Sequence, residues 1–177
     1  MAFEAIYREH FAAVWRGVQR FGVPERDAAD AAQEVFLIAY RGFERFEGRS
    51  SVRTWLFGIA FRVAAGRLRL LSNRRELLTT PELLEAHPDP NAAWDSLDLR
   101  RLCELGLGAL PLEQRAVFTL FELEGFSGEE IAQALELPLG TVRSRLRLAR
   151  AAFTRTLQAL QPASGSTEAL RLEAAHE

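Results

Sequence analysis

Apolar residues recur with helical spacing along most of this chain. Phe3, Tyr7, Phe11, Val14, Val18 and Phe21 return every three or four residues, and Ile6 and Trp15 widen the stripe. The pattern predicts a first helix with a broad buried face, closed by Gly22 and followed by Pro24. A second helix is predicted from about Pro24 to Phe43, with Ala32, Val35, Phe36, Ala39 and Phe43 facing inward. Glu44 to Ser51 reads as a loop. Ser50 or Ser51 can cap a third helix, Val52 to about Leu71, whose stripe is Val52, Trp55, Leu56, Ile59, Ala60 and Val63. The period then fails. Pro81, Pro88 and Pro90, among Glu82, Glu85 and Asp89, mark residues 76–95 as an acidic linker with room for one short helical turn after Pro81.

Helical spacing resumes from Ser96 to about Leu110, with Leu99, Leu102, Cys103 and Leu110 inward. Pro111 opens a further helix to about Glu124, with Val117, Leu120 and Phe121 inward and Gly125 as its stop. Ser127 to Phe153 is the most informative stretch. Ser127 can cap a short helix, with Glu130 completing a capping box. Ile131, Ala132 and Leu135 form its apolar face, and Pro138 separates it from the next helix. There Val142, Leu146, Ala149 and Phe153 form one buried stripe. The sum is an all-α chain of two small helical domains, 1–75 and 96–160, joined by a flexible linker, with a helix-turn-helix in the second. Residues 161–177 are expected to form a mobile tail.

Charge is segregated although the formal net charge is only −2. Arg53 to Arg75 holds six Arg and no acid, and Thr141 to Arg155 holds five Arg and no acid. Between them, Glu76 to Glu136 holds thirteen acids against three Arg. Two basic patches separated by an acidic stretch suggest two contacts with a polyanion. A basic second helix after a tight turn can enter the major groove. Gly140 opens it. Thr141, Ser144, Arg145 and Leu148 lie off the buried stripe and are candidates to read bases; Arg143, Arg147 and Arg150 are better placed on phosphates. The plain alternative is a solvated charged helix.

Two other faces carry candidate chemistry. On the second helix Asp30, Gln33, Glu34, Leu37 and Arg41 form a stripe opposite the core face. From spacing alone it reads as solvated, with docking of a basic partner as the other reading. On the third helix Phe61 lies away from the core stripe with Thr54, Gly58, Arg62 and Arg69, and Phe57 is at the border. Arginines among exposed rings suit single-stranded nucleic acid, whose backbone they hold while rings stack on unpaired bases. Packing of both Phe residues against a neighbouring element is equally open. Cys103 is alone, and the three His are far apart, so neither a disulfide framework nor a zinc site is indicated and no cofactor is expected. No segment is long and apolar enough to span a bilayer, and the first residues lack a signal-peptide pattern, which points to the cytoplasm.

Taken together, the motifs resemble the extracytoplasmic-function (ECF) group of the sigma-70 family, two-domain bacterial transcription initiation factors. Asp30-Ala-Ala-Gln33-Glu34-Val35-Phe36 resembles the helix that binds core polymerase. Phe46 to Ala60, including Ser50, Ser51, Arg53, Thr54, Trp55 and Phe57, resembles the melting and −10 element. Leu110 to Phe118 and Gly140 to Leu146 resemble the −35-binding domain. The resemblance implies that Asp30, Gln33, Glu34, Leu37 and Arg41 dock on the β′ clamp coiled coil of core RNA polymerase, with the β flap as a second contact. It implies that the loop from Phe46 holds a flipped base of the non-template strand, and that promoter DNA and an anti-sigma factor are partners. The chain departs from the family at Phe61-Arg62, where Arg-Asn is common, and at Gly66, where an acid is usual. Phe61 and Arg62 stay among the −10 candidates, with a −10 preference expected to differ from the family's.

The main competing reading is a free-standing dimeric helix-turn-helix regulator. It explains Ser127 to Phe153 but not a second basic, aromatic helix at Val52 to Leu71. An enzyme is not indicated: Gly125-Phe-Ser127-Gly128 is not a nucleophile elbow, and Gly106-Leu-Gly108 lacks the rest of a dinucleotide fingerprint.

Overall fold

The computed structural model describes residues 3–78 and 99–160, with side chains over 3–73 and 100–160. Most of the expected linker and the whole expected tail lie outside the described residues. Among the described residues there are seven α-helices and no strand: α1 Phe3–Arg20, α2 Glu25–Gly42, α3 Val52–Leu78, α4 Leu99–Gly108, α5 Leu112–Phe118, α6 Gly128–Leu135 and α7 Leu139–Leu160.

The first three helices pack on one another. Val14, Val18, Phe21, Val35, Phe36, Leu56 and Ile59 are buried between them. Phe3, Tyr7 and Phe11 of α1 set their rings around Phe36 of α2. The turn from α1 to α2 needs Gly22, whose φ of +109° most side chains avoid. Val23 N–H then donates to the Val18 carbonyl, which satisfies an end-of-helix acceptor. Of the two serines expected to cap α3, Ser51 does so: its Oγ accepts from Thr54 N–H at 3.0 Å. α3 runs to Leu78, past the expected end near Leu71, because no Gly or Pro interrupts Ser72 to Leu78.

In the C-terminal half, α4 and α5 lie against α7, with Leu107, Leu110, Phe118 and Ala149 buried and Phe118 stacked on Phe153 at 4.7 Å. Phe121, expected inside, is only half-buried. Arg115 is tucked among α4 and α5, donating to the carbonyls of Gly108 at 2.9 Å and Leu110 at 3.2 Å. Burial pulls its guanidinium below the ordinary value. Past Phe118 the helix widens into a π-turn over Thr119–Leu123. The expected capping box at α6 is present in full: Ser127 Oγ accepts from Glu130 N–H, and the Glu130 carboxylate accepts from Ser127 N–H. Glu136 ends α6 in the left-handed region at φ 55°. The Pro138 carbonyl then accepts from Thr141 and Val142 N–H, which starts α7.

The two halves are in direct contact. Phe126, Ile131, Val142 and Leu146 join the same buried cluster as the residues of α1 to α3. α6 lies across α3 at Gly58, where a Cβ would come within 2.6 Å of the Ala134 carbonyl oxygen. Only a residue without a side chain allows that approach.

Candidate nucleic-acid interface

The basic helix of the helix-turn-helix is α7. Its buried stripe, Val142, Leu146 and Ala149, faces the core as the spacing predicts. Gly140, Arg143, Ser144, Arg147 and Leu148 are therefore exposed, and Thr141 and Arg145 are half-buried at the edge. Ser144 Oγ donates to the Thr141 carbonyl at 3.0 Å, which ties down the first turn. Arg143, Arg145 and Arg147 make no ion pair among the described residues. Arg150 differs. Its Nε donates to Glu122 at 2.6 Å, and its guanidinium lies over Phe121 at 5.2 Å. One of the three arginines expected on phosphates is thus already neutralised by an acid of its own domain.

The second site is built by the loop before α3. A cavity of about 360 Å³ is lined by residues including Ile38, Phe46, Arg49, Ser50, Trp55 and Arg62. Phe46 and Trp55 set their rings together at 4.8 Å with an interplanar angle of 31°. Ser50 Oγ donates to the Ser51 carbonyl at 3.2 Å. Flat rings, the Ser50 hydroxyl and arginines around one opening can stack on an unpaired base and hold its phosphate.

The remaining α3 residues divide. Arg62 and Arg69 are exposed, and Phe61 is half-buried with its edge toward Phe21. Two residues expected to face single-stranded nucleic acid do not. Thr54 is buried and its hydroxyl is committed to Ser51 Oγ at 2.8 Å. Phe57 is buried between Phe21 and Phe126, at 6.5 and 5.1 Å between ring centroids. Phe57 sits at the border of the stripe, and the C-terminal half supplies the neighbour that covers it. Arg53 is held by Glu124 and Phe126 of the same half.

On α2, Asp30, Gln33, Leu37 and Arg41 are exposed as the stripe predicts. Glu34 is partly covered because Arg67 of α3 donates to its Oε2 at 2.8 and 3.0 Å. The same face carries two large apolar groups that sequence reasoning missed, Ile38 at 42% and Tyr40 at 65% exposed beside Leu37 at 58%. The signal was present: Gln33, Leu37 and Tyr40 share the i, i+4, i+7 spacing.

Comparison with known proteins decides the family. The sigma-70 region 2 model matches residues 6–74, and the sigma-70 region 4 model matches residues 104–153. The ECF RNA polymerase sigma-E factor of Escherichia coli strain K12 is 36% identical over 149 residues, covering 78% of each chain. The chain belongs to the ECF sigma factors. The RNA polymerase sigma-H factor of Pseudomonas aeruginosa is 31% identical over 169 residues, covering 90% of this chain and 88% of its own. Among solved structures, the sigma factor RpoE of Bartonella quintana, in complex with the anti-sigma factor NepR, superposes with a TM-score of 0.71 at 25% identity, covering 88% of this chain and 96% of that one.

A sigma factor has no catalytic step of its own. It binds core RNA polymerase and directs it to promoters, and polymerase supplies the chemistry. The region 2 match, residues 6–74, falls on α1 to α3, and the region 4 match, residues 104–153, falls on α4 to α7. Membership removes the free-standing dimeric regulator from consideration. No described helix is long and apolar enough to cross a membrane.

Proposed function

We propose that the three surfaces divide the work of initiation as follows. The α2 face of Asp30, Gln33, Glu34, Leu37 and Arg41, extended by Tyr40, docks on the β′ clamp coiled coil of core polymerase. Region 4 adds a contact to the β flap. The loop cavity at Phe46, Ser50 and Trp55 captures a flipped base of the −10 element, and Ser51 beside it caps α3. Arg53, Arg62 and Arg69 hold the backbone of that strand. Phe61 borders it, whereas Thr54 and Phe57 support the helix from inside. In region 4, Gly140, Thr141, Ser144, Arg145 and Leu148 meet the bases of the −35 element, and Arg143 and Arg147 bind phosphates. Arg150 joins them only if it leaves Glu122. The chain works in the cytoplasm as domains 1–75 and 96–160 joined by residues 76–95, and an anti-sigma factor is its regulator, as for the RpoE relative bound to NepR.

The observation that carries this reading is the cavity lined by the Phe46–Trp55 ring pair at the start of a basic helix. Base extrusion costs a few kcal/mol. Stacking returns roughly 1–3 kcal/mol per base, so one well-filled cavity offsets much of that cost. The experiment places 2-aminopurine at successive positions of the non-template strand in a complex with core polymerase. One position quenched by wild type but not by Trp55→Ala supports capture there. Equal signals at every position in both proteins would refute it.

A further inference from the structure

We infer that the groove between α2 and the C-terminal part of α3 binds a single-chain anionic amphiphile, an acyl-chain carboxylate. Its head lies over Gly66 between Arg62 and Arg69, and its tail lies along an aliphatic wall. The groove is separate from the base cavity, with which it shares only Ile38 and Arg62.

The groove has a volume of about 910 Å³, within the range of small-molecule sites. The buried Val23 and Val63 line it together with Ile38, Leu68 and Leu71. Leu70 at its edge is 70% exposed, a large apolar group that neither the core nor the α2 face uses. Among the described residues no aromatic ring lines the groove, so nothing there stacks on a nucleobase. Aliphatic walls suit an alkyl chain instead.

The charges of the groove favour one anionic head. Asp27 pairs with Arg26 at 3.6 Å, and Glu34 with Arg67 at 2.8 Å. Arg62 reaches Glu136 at 2.9 Å, an exposed pair that holds it weakly. Arg69 is exposed and makes no ion pair among the described residues. The groove thus offers one free cation, one loosely held cation and no unpaired acid among the described residues. A carboxylate matches that supply, and a guanidinium can hold it with two parallel hydrogen bonds.

Gly66 makes the room. Arg62, Gly66 and Arg69 follow at i, i+4 and i+7, so they share one face of α3, with the two arginines about 10 Å apart along the axis. Glycine weakens a helix interior relative to alanine. Packing does not call for it here, because a Cβ at Gly66 would meet nothing within 4 Å. The missing side chain leaves open surface between two guanidinium groups, at the position where the sequence departs from the family's usual acid. An acid there would itself pair with Arg62 and occupy the place of a ligand's carboxylate.

In the role proposed for α3 the same two arginines hold the −10 strand, so an occupied groove and a bound strand exclude each other. That consequence rests on the proposed role; the site does not. Isothermal titration calorimetry of the full chain with dodecanoate, kept below its micelle concentration, tests the site. One dodecanoate is expected per chain. Arg69→Gln should weaken it about tenfold, the loss of one charge-assisted hydrogen bond. Gly66→Leu fills the open surface while favouring the helix, and should abolish binding without lowering the urea midpoint. No binding to wild type, equal binding of dodecylammonium, or equal affinity in all three proteins would overturn the site. Transcription reconstituted with core polymerase reads the consequence. Dodecanoate is expected to lower the transcript yield with wild type and to leave the yield with Gly66→Leu unchanged. Dodecanoate bound by the wild-type chain with no loss of transcript would overturn the exclusion, and 2-aminopurine quenching shows separately whether base capture by the loop stands.

Discussion

Arg53 and Glu124, 71 residues apart in sequence, are joined by two hydrogen bonds from one guanidinium nitrogen, to the Glu124 backbone oxygen at 2.6 Å and to its carboxylate at 3.2 Å. A cation that the sequence assigns to a nucleic-acid face is therefore occupied by the other region of the same chain. The N-terminal and C-terminal halves share a buried interface here, which covers Arg53 and Phe57 of α3 and leaves Arg62 and Arg69 exposed.

The capping box at Ser127 sets the start of the helix-turn-helix. Ser127→Ala removes the acceptor for Glu130 N–H and is expected to cost about 1 kcal/mol, whereas Ser127→Asp keeps an acceptor and costs little. Urea denaturation of the two variants checks this through their midpoints.

Side chains on opposite faces of region 4 should separate stability from recognition. Leu120 and Ile131 are fully buried, so truncating either to Ala is expected to cost about 2–5 kcal/mol. Leu148 is 45% exposed. Its replacement by Ala should leave the unfolding midpoint within about 0.5 kcal/mol of wild type and still change promoter binding. Parallel unfolding and promoter-binding measurements would show the division.

Arg147 and Arg145 should differ in kind. Arg147→Ala is expected to weaken binding on every sequence and to reduce the slope of log K against log salt by roughly 1. Arg145→Ala should relax preference at one base-pair position, with a discrimination loss of about 1–3 kcal/mol. Salt titrations on a matched promoter and a single-site mutant panel read both effects.

The exposed face of α2 should behave as a polymerase contact. Asp30→Arg and Tyr40→Ala are each expected to weaken core binding, the latter by more than about 1 kcal/mol if Tyr40 anchors the patch. DNA binding by α7 should be unaffected. Competition for core polymerase against the wild-type chain measures the loss.

Most of the fold was legible because the apolar stripes are long and regular. The Ser127 box, the inward stripe of α7 and the exposed stripe of α2 all lie where their spacing puts them. What spacing did not reveal came from contacts distant in sequence. Phe57 sits on the border of its stripe, and only the arrival of Phe126 buries it. Thr54 looks like a polar face residue until Ser51 claims its hydroxyl. Glu124 reads as one acid among many, and its role depends on a π-turn that no periodicity announces. Tyr40 shares the i, i+4, i+7 spacing of Gln33 and Leu37, so its exposure on that face follows from periodicity.

Transcription reconstituted from purified core polymerase and this chain on a panel of linear promoters tests the central assignment most directly. The account expects discrete start sites that require the chain and that are lost with Trp55→Ala and with Arg145→Ala. Core polymerase that initiates at the same sites with and without the chain, or fails to associate with it, would contradict the assignment.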